Sequence, residues 1–356
     1  MYLDSDSYTE ALACFARVES VELSSFLGDG EIAALFIDIA RCKLGLGLLE
    51  EAAEYSRRAS VSSSGDAAIT AEADVIRARA EGRGGRFADS LRSAERAYSF
   101  LRELPDSPLL AEACKVMGTA YAELGDNTSA RDCFVDSLVC NKRIGCKEGV
   151  AGAYNNLGIL AKRSGDLSSA IDHFERALSI DMELGRPASI ARRLNNLGVA
   201  LYRLSRWTEA EEQLQKALEI YTGLAAERDI VAVESALGNI RRVRRDWAGA
   251  RERFNRVLEV SREKGYRRSE ALALEFLGDL EKDQGNYREA LDILNKALVA
   301  ARRLSSESDV VGEVLRRRAE VLLALGRVGE AIRDADRGLA LCRRIGDRLE
   351  EGATLR

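Results

Sequence analysis

The chain has 356 residues with 53 basic and 58 acidic side chains, a formal net charge of −5, and this balance argues against general nucleic-acid binding. The opening Met1-Tyr2-Leu3-Asp4-Ser5-Asp6 has neither a basic nor an apolar signal region, and no run approaches the ~18 apolar residues of a membrane helix, so the sequence reads as neither secreted nor membrane-associated. Seven cysteines without a C-x-x-C pair argue against a disulfide framework or a metal site and point to the cytoplasm.

Three prolines in the whole chain, with abundant Ala, Leu, Glu and Arg, predict helix almost throughout. A sequence word then recurs every 40 residues: Val116-Met117-Gly118, Tyr154-Asn155-Asn156-Leu157-Gly158, Leu194-Asn195-Asn196-Leu197-Gly198, Ala236-Leu237-Gly238 and Phe276-Leu277-Gly278. A fixed period in this range marks stacked repeats, none of which can bury its apolar face alone. In chain order, residues 1–30 read as a partial unit, mostly a second helix, with Tyr8 and Ala11 at the packing positions. Residues 31–110 read as two degenerate units, with Leu49 before Ala52, Phe87 before Ser90, and Arg77-Ala78 where Leu-Gly is expected. Between them residues 59–66 look linker-like, which predicts a bend or irregular stack around 60–85.

Residues 111–310 read as five regular units. In the unit 151–190, Tyr154, Leu157, Gly158 and Ala161 form one apolar stripe. Ser164-Gly165-Asp166 then ends this helix and caps the next, Gly165 taking the left-handed conformation. On the second helix Ala170, Phe174 and Ala177 face inward, and Gly158 and Ala170 allow close helix approach. A further unit covers 311–350 with Val328 and Ala331, and 351–356 reads as the start of another helix. Both ends fall inside a unit without a polar cap, which predicts a piece of a larger protein. The 44 Arg against 9 Lys suggest a GC-rich bacterial gene.

The order aromatic, Leu-Gly, Gly-Asp, Ala, aromatic, Ala resembles the tetratricopeptide repeat (TPR) family. The resemblance implies an all-α, right-handed superhelical solenoid of antiparallel helix pairs. The period of 40 rather than 34 is similar to that of kinesin light chain, Pins-type scaffolds and bacterial TPR regulators, and implies longer helices or longer linkers.

Catalysis has little to work with. His173 is the single histidine, with no nucleophile and acid at triad spacing, and no phosphate-binding loop occurs. The expectation is a non-enzyme without cofactor or metal. In TPR arrays the first helix of each pair lines the groove, and with Gly158 as the eighth position the groove line runs through positions two, five, six, nine, twelve and thirteen. The resemblance implies that an Asn at position six pairs with ligand backbone, while nearby cations hold acidic groups. The candidate binding residues are therefore Asn155, Asn156, Lys162, Arg163, Arg192, Asn195, Asn196, Tyr202, Arg203, Asn239 and Arg242. Two readings stay open: the Asn pairs contact a ligand or belong to the repeat consensus, and the arginines form a basic strip or pair with acids of adjacent repeats. The runs Arg241–Arg245 and Arg316–Arg318 read as solvated or bound to the carbonyls of their helix ends. The expected partner is a protein or peptide segment, acidic in character, bound by a scaffold or sensor. A self-assembling array joined through uncapped ends, or an intramolecular regulator of an attached enzyme or transcription factor, are the alternatives.

Overall fold

The structure, a computed structural model, describes residues 27–304 and 308–355, with the side chains of all of these but 348 and 349. The expected partial unit 1–30 therefore lies outside the described residues except for 27–30. Every regular element among the described residues is an α-helix. The first unit, up to Ala153, contains α1 (Asp29–Gly45), α2 (Leu49–Ser62), α3 (Ala67–Arg83), α4 (Phe87–Leu101), α5 (Pro108–Glu123) and α6 (Asn127–Arg143). The second, from Tyr154, contains most of α7 (Lys147–Arg163), then α8 (Leu167–Glu183), α9 (Pro187–Arg203), α10 (Trp207–Gly223), α11 (Glu227–Val243) and α12 (Trp247–Lys264). It continues through α13 (Arg267–Asp283), α14 (Tyr287–Arg302), α15 (Asp309–Ala324), α16 (Val328–Ile345) and α17 (Arg348–Thr354). In each unit, consecutive helices pack as antiparallel neighbours.

The period of 40 has a simple origin. From Gly125 to Gly285, a residue with positive φ recurs every 20 residues, at 125, 145, 165, 185, 205, 225, 245, 265 and 285. Each half-period is a helix of 16–18 residues and a short turn, so it is the helices that are longer, not the linkers. Six of these nine turn residues are glycine, which takes the left-handed region without a Cβ penalty. Ser205, Ala225 and Arg245 take it at φ 61°, 51° and 62°, at a cost of roughly 1–2 kcal/mol each. The cap expected at Asp166 is present, its carboxylate accepting from the Ser169 amide at 3.0 Å.

Packing between the paired helices depends on matched sizes sixteen residues apart. A Cβ on Gly158 would stand 2.6 Å from the Phe174 ring, on Gly238 2.5 Å from the Phe254 ring, and on Gly198 and Gly278 2.6 Å from Leu214 and Leu294. Each large side chain fills the space its glycine leaves, and Phe174, Leu214, Phe254 and Leu294 are fully buried. Where Leu-Gly is missing, the pair changes together: Ala78 faces a position held by Ala94, both fully buried. Ser90, standing where other units have Ala, donates its hydroxyl to the Ala78 carbonyl at 2.7 Å. The stretch 59–66, expected to be linker-like, is in its first half helix. Helix α2 runs to Ser62, and the hydroxyls of Ser60 and Ser63 bond back to the carbonyls of Ser56 and Ser60 at 3.2 and 2.8 Å, so serines that look like linker residues cap their own helix.

Candidate functional site: the groove of the second unit

The first helices of four successive pairs in the second unit, α9, α11, α13 and α15, together with α17, line a cavity of about 510 Å³. Helical spacing explains which residues reach it. Val199, Tyr202 and Arg203 are positions nine, twelve and thirteen of their unit. Ala232, Ser235, Ala236, Asn239 and Arg242 fill the same line in the next, followed by Leu272 and Phe276, then Glu313 and Arg317. Tyr202, Leu272 and Phe276 give it an apolar wall, and the Phe276 ring rests on Phe254 with centroids 5.5 Å apart. Arg203, Arg228, Arg268, Glu313 and Glu350 bring charge to its surface.

Beneath the wall lies an ionic layer. Arg317 Nε is 3.1 Å from Glu275 Oε1 and 2.8 Å from Asp279 Oδ2, and both carboxylates are fully buried. Arg242 pairs with Asp283 and lies 3.8 Å from Asp279, and Lys282 lies 3.2 Å from Asp279. Burial opposes ionisation of Asp279, but Arg317, Lys282 and Arg242 outweigh it and hold this carboxyl below its ordinary range. Glu275 goes the other way: burial, reinforced by Glu313, pushes it up to about 8 against the pull of Arg317. Burial, reinforced by Glu350, pushes Glu313 up to about 7. Burial, and then Arg203, lower Lys162 to about 8.

Of the sequence-derived candidates, the structure brings Tyr202, Arg203, Asn239 and Arg242 together at the cavity. Asn155, Asn156, Lys162, Arg163, Arg192, Asn195 and Asn196 do not line it. Asn196 Nδ2 donates to Asn155 Oδ1 at 2.9 Å, so these two amides bind each other across adjacent helices, and Asn155 is buried. Asn239 is also buried, accepting from Arg242 Nε at 3.2 Å and donating to the Ser235 carbonyl at 3.3 Å. Arg192 bonds the Tyr221 hydroxyl, and Arg163 donates to the Ile345 carbonyl. The run Arg316–Arg318, read as solvated, is not: Arg316 pairs with Glu320 and Glu350, Arg317 with Glu275 and Asp279, and Arg318 with Asp334. Three neighbouring residues on a helix point three ways, so each finds a different acid. Arg241, Arg242 and Arg244 likewise pair with Asp246, Asp283 and Glu211.

Glu313, Arg317 and Glu350 were not among the candidates. Glu313 and Arg317 hold positions two and six of the unit 311–350 when Ala319 is taken as its eighth residue, so the same groove line carried one unit further reaches both. His173 stacks on Tyr154 with ring centroids 6.0 Å apart, and burial lowers its pKa. No group of three or more His, Cys, Asp or Glu residues suited to a metal ion occurs among the described residues, and no helix among them is long and apolar enough to cross a membrane.

Helix pairs at a fixed period, with a cavity along their first helices, define a helical-repeat protein. Two models of the tetratricopeptide repeat match the sequence, one at residues 149–223 and 229–303 and the other at 277–347, together more than half of the chain. The chain belongs to the TPR family. No curated protein matches it by sequence. Among solved structures it is similar to a Rap protein complexed with Competence and Sporulation Factor (TM-score 0.71, 15% identity, 95% of this chain and 93% of that one). It is also similar to the apo form of the quorum sensor NprR from B. thuringiensis (TM-score 0.71, 12% identity, 95% and 97%). A third is NprR in complex with its cognate peptide NprX (TM-score 0.59, 14% identity, 77% and 82%). At these identities the likeness speaks for the fold alone.

Proposed function

We propose that the second unit is a peptide-binding module, acting without catalysis as a scaffold or sensor in the cytoplasm of a bacterium. The observation that carries this reading is the 510 Å³ cavity built from groove positions of four successive repeats, with Tyr202, Leu272 and Phe276 beside Arg203, Arg228 and Arg268. An apolar wall with a few convergent polar groups suits one or two side chains of an extended segment, and the guanidinium groups favour acidic ones. A longer ligand continues along the first helices toward Arg192, Asn195, Asn196, Lys162, Arg163, Asn155 and Asn156. One of the structurally similar proteins, NprR, supports the reading: it is described as a quorum sensor and is also solved with its cognate peptide.

The test uses Ala232, which lines the cavity from an exposed position on α11. Peptides selected from a random 12-residue library on the intact chain should lose at least about tenfold in affinity against Ala232→Trp, whose indole fills the cavity, with helicity unchanged. Selected peptides that bind this variant as tightly as the parent would sink the proposal.

A further inference from the structure

We infer that residues 345–350, the turn joining α16 to α17 with the helix ends on either side of it, form a strap across the groove of the second unit that an acidic ligand segment displaces; this rests on the peptide-binding reading above. Within the second unit, the strap reaches back to first helices that lie three and four units earlier. Arg163, at the end of α7, donates to the carbonyl of Ile345, 182 residues away in sequence. Arg203, at the end of α9, lies 3.6 Å from a carboxylate oxygen of Glu350. Asp347, between these two contacts, lies in the field of the same two guanidinium groups.

Arg163 and Arg203 recur one period apart, and both are engaged by the chain's own acceptors. Ile345 is the last residue of α16, and its carbonyl is among those a helix end leaves without an intrahelical donor. The two contacts therefore offer what an acidic peptide would offer, a backbone carbonyl and a carboxylate at adjacent arginines. Exchange of one for the other leaves Arg163 with a carbonyl acceptor and Arg203 with a carboxylate, so displacement does not leave either guanidinium without an acceptor. The hold on Arg203 is loose. At 3.6 Å the contact is an ion pair rather than a hydrogen bond, whereas the second oxygen of Glu350 accepts from Arg316 Nε at 2.9 Å. Glu350 thus has an anchor that survives the release of Arg203. Glu350 also lines the cavity itself, so moving the strap changes the walls that a ligand meets.

Hydrogen exchange on the intact chain tests the strap without a ligand. Arg163→Gln and Arg203→Gln, which leave the Arg316–Glu350 pair untouched, should each speed amide exchange over 345–352 by roughly three- to tenfold. Arg228→Gln, which changes the cavity without touching the strap, should not. Fluorescein-labelled hexaglutamate then probes competition by anisotropy. It should bind Glu350→Gln several-fold more tightly than the parent and Arg203→Gln more weakly, and on the parent chain it should speed exchange over 345–352. Unchanged exchange in both arginine variants overturns the strap. Equal or absent hexaglutamate binding in the parent and Glu350→Gln overturns the competition. Either result leaves the Ala232→Trp outcome untouched, so failure here is distinguishable from failure of the peptide-binding reading.

Discussion

Replacing Gly238 by alanine should destabilise the second unit, although alanine is the better helix former. The new Cβ would stand 2.5 Å from Phe254 Cε1, 2.9 Å from Cδ1 and 3.1 Å from Cζ, where carbon atoms in contact keep about 3.5–4.0 Å. One of them must give by about 1 Å. Phe254 has no exposed surface and rests on Phe276, so its ring cannot swing aside. Overpacking of this kind costs ~1–3 kcal/mol, here toward the upper end. The helix-propensity gain returns about 1 kcal/mol, leaving a net loss of ~1–2 kcal/mol. Gly152 is the control: a Cβ there meets nothing within 4 Å, so Gly152→Ala should gain up to about 1 kcal/mol. Urea unfolding followed by Trp247 fluorescence in a Trp207→Phe background reads the affected repeat, because Trp247 packs against the cluster that holds Phe254. Phe254→Ala, which costs ~3–5 kcal/mol alone, should cost less once Gly238 is alanine. A Gly238→Ala variant as stable as Gly152→Ala, or a fully additive cycle, would refute the size-matching argument.

Three further outcomes follow from the geometry. Ala225→Gly and Arg245→Gly remove left-handed strain and should each raise urea stability by about 1 kcal/mol; no gain would mean the turns carry no strain. Asn196→Ala deprives buried Asn155 of its 2.9 Å donor and should cost ~1–2 kcal/mol in the same assay, with Asn155→Ala non-additive to it. Glu275 and Glu313 are raised in the folded state, so the folded chain binds more protons. The stability they contribute is full below their ordinary 4.5 and is lost as pH rises through about 7 and about 8. The melting temperature should therefore fall between pH 6 and 8.5, less steeply in Glu313→Gln; a profile rising over that window would contradict the assignment.

The architecture was legible because its determinants are local. Gly158, Ala170 and Phe174 fall within sixteen residues of one another, and turn glycines mark six of the nine half-periods from 125 to 285, so one unit read carefully predicts the next. Ser60 and Ser63 misled because their hydroxyls bond back to carbonyls of their own helix. Composition alone does not separate a serine that leaves a helix from one that caps it. The candidate site was legible only where the groove line was followed. Tyr202, Arg203, Asn239 and Arg242 lie on it, and Glu313 and Arg317 lie on its continuation.

Charge was harder to read, and the difference between two kinds of contact explains why. In a stacked array each repeat meets its neighbours, so a residue on a first helix faces residues about one period away. Arg242 with Asp283, Arg268 with Asp309, Arg317 with Glu275 and Asn196 with Asn155 are all separated by 41 or 42 residues. Those pairings follow from the period, and opposite charges about one period apart on the first helices are enough to pick the three ionic ones out of the sequence. The contact of Arg163 with Ile345 spans 182 residues and follows from no single repeat. It depends on the rotation between repeats accumulated along α7–α17, a small angle that no local pattern of residues encodes. The arginines that look like an open basic strip in the sequence are therefore occupied from two sources: neighbouring repeats satisfy Arg242 and Arg268, while the returning C-terminal turn satisfies Arg163 and Arg203. The second set is held by the returning turn rather than by a neighbouring repeat, and under the strap proposal a ligand competing for charge in this groove acts there.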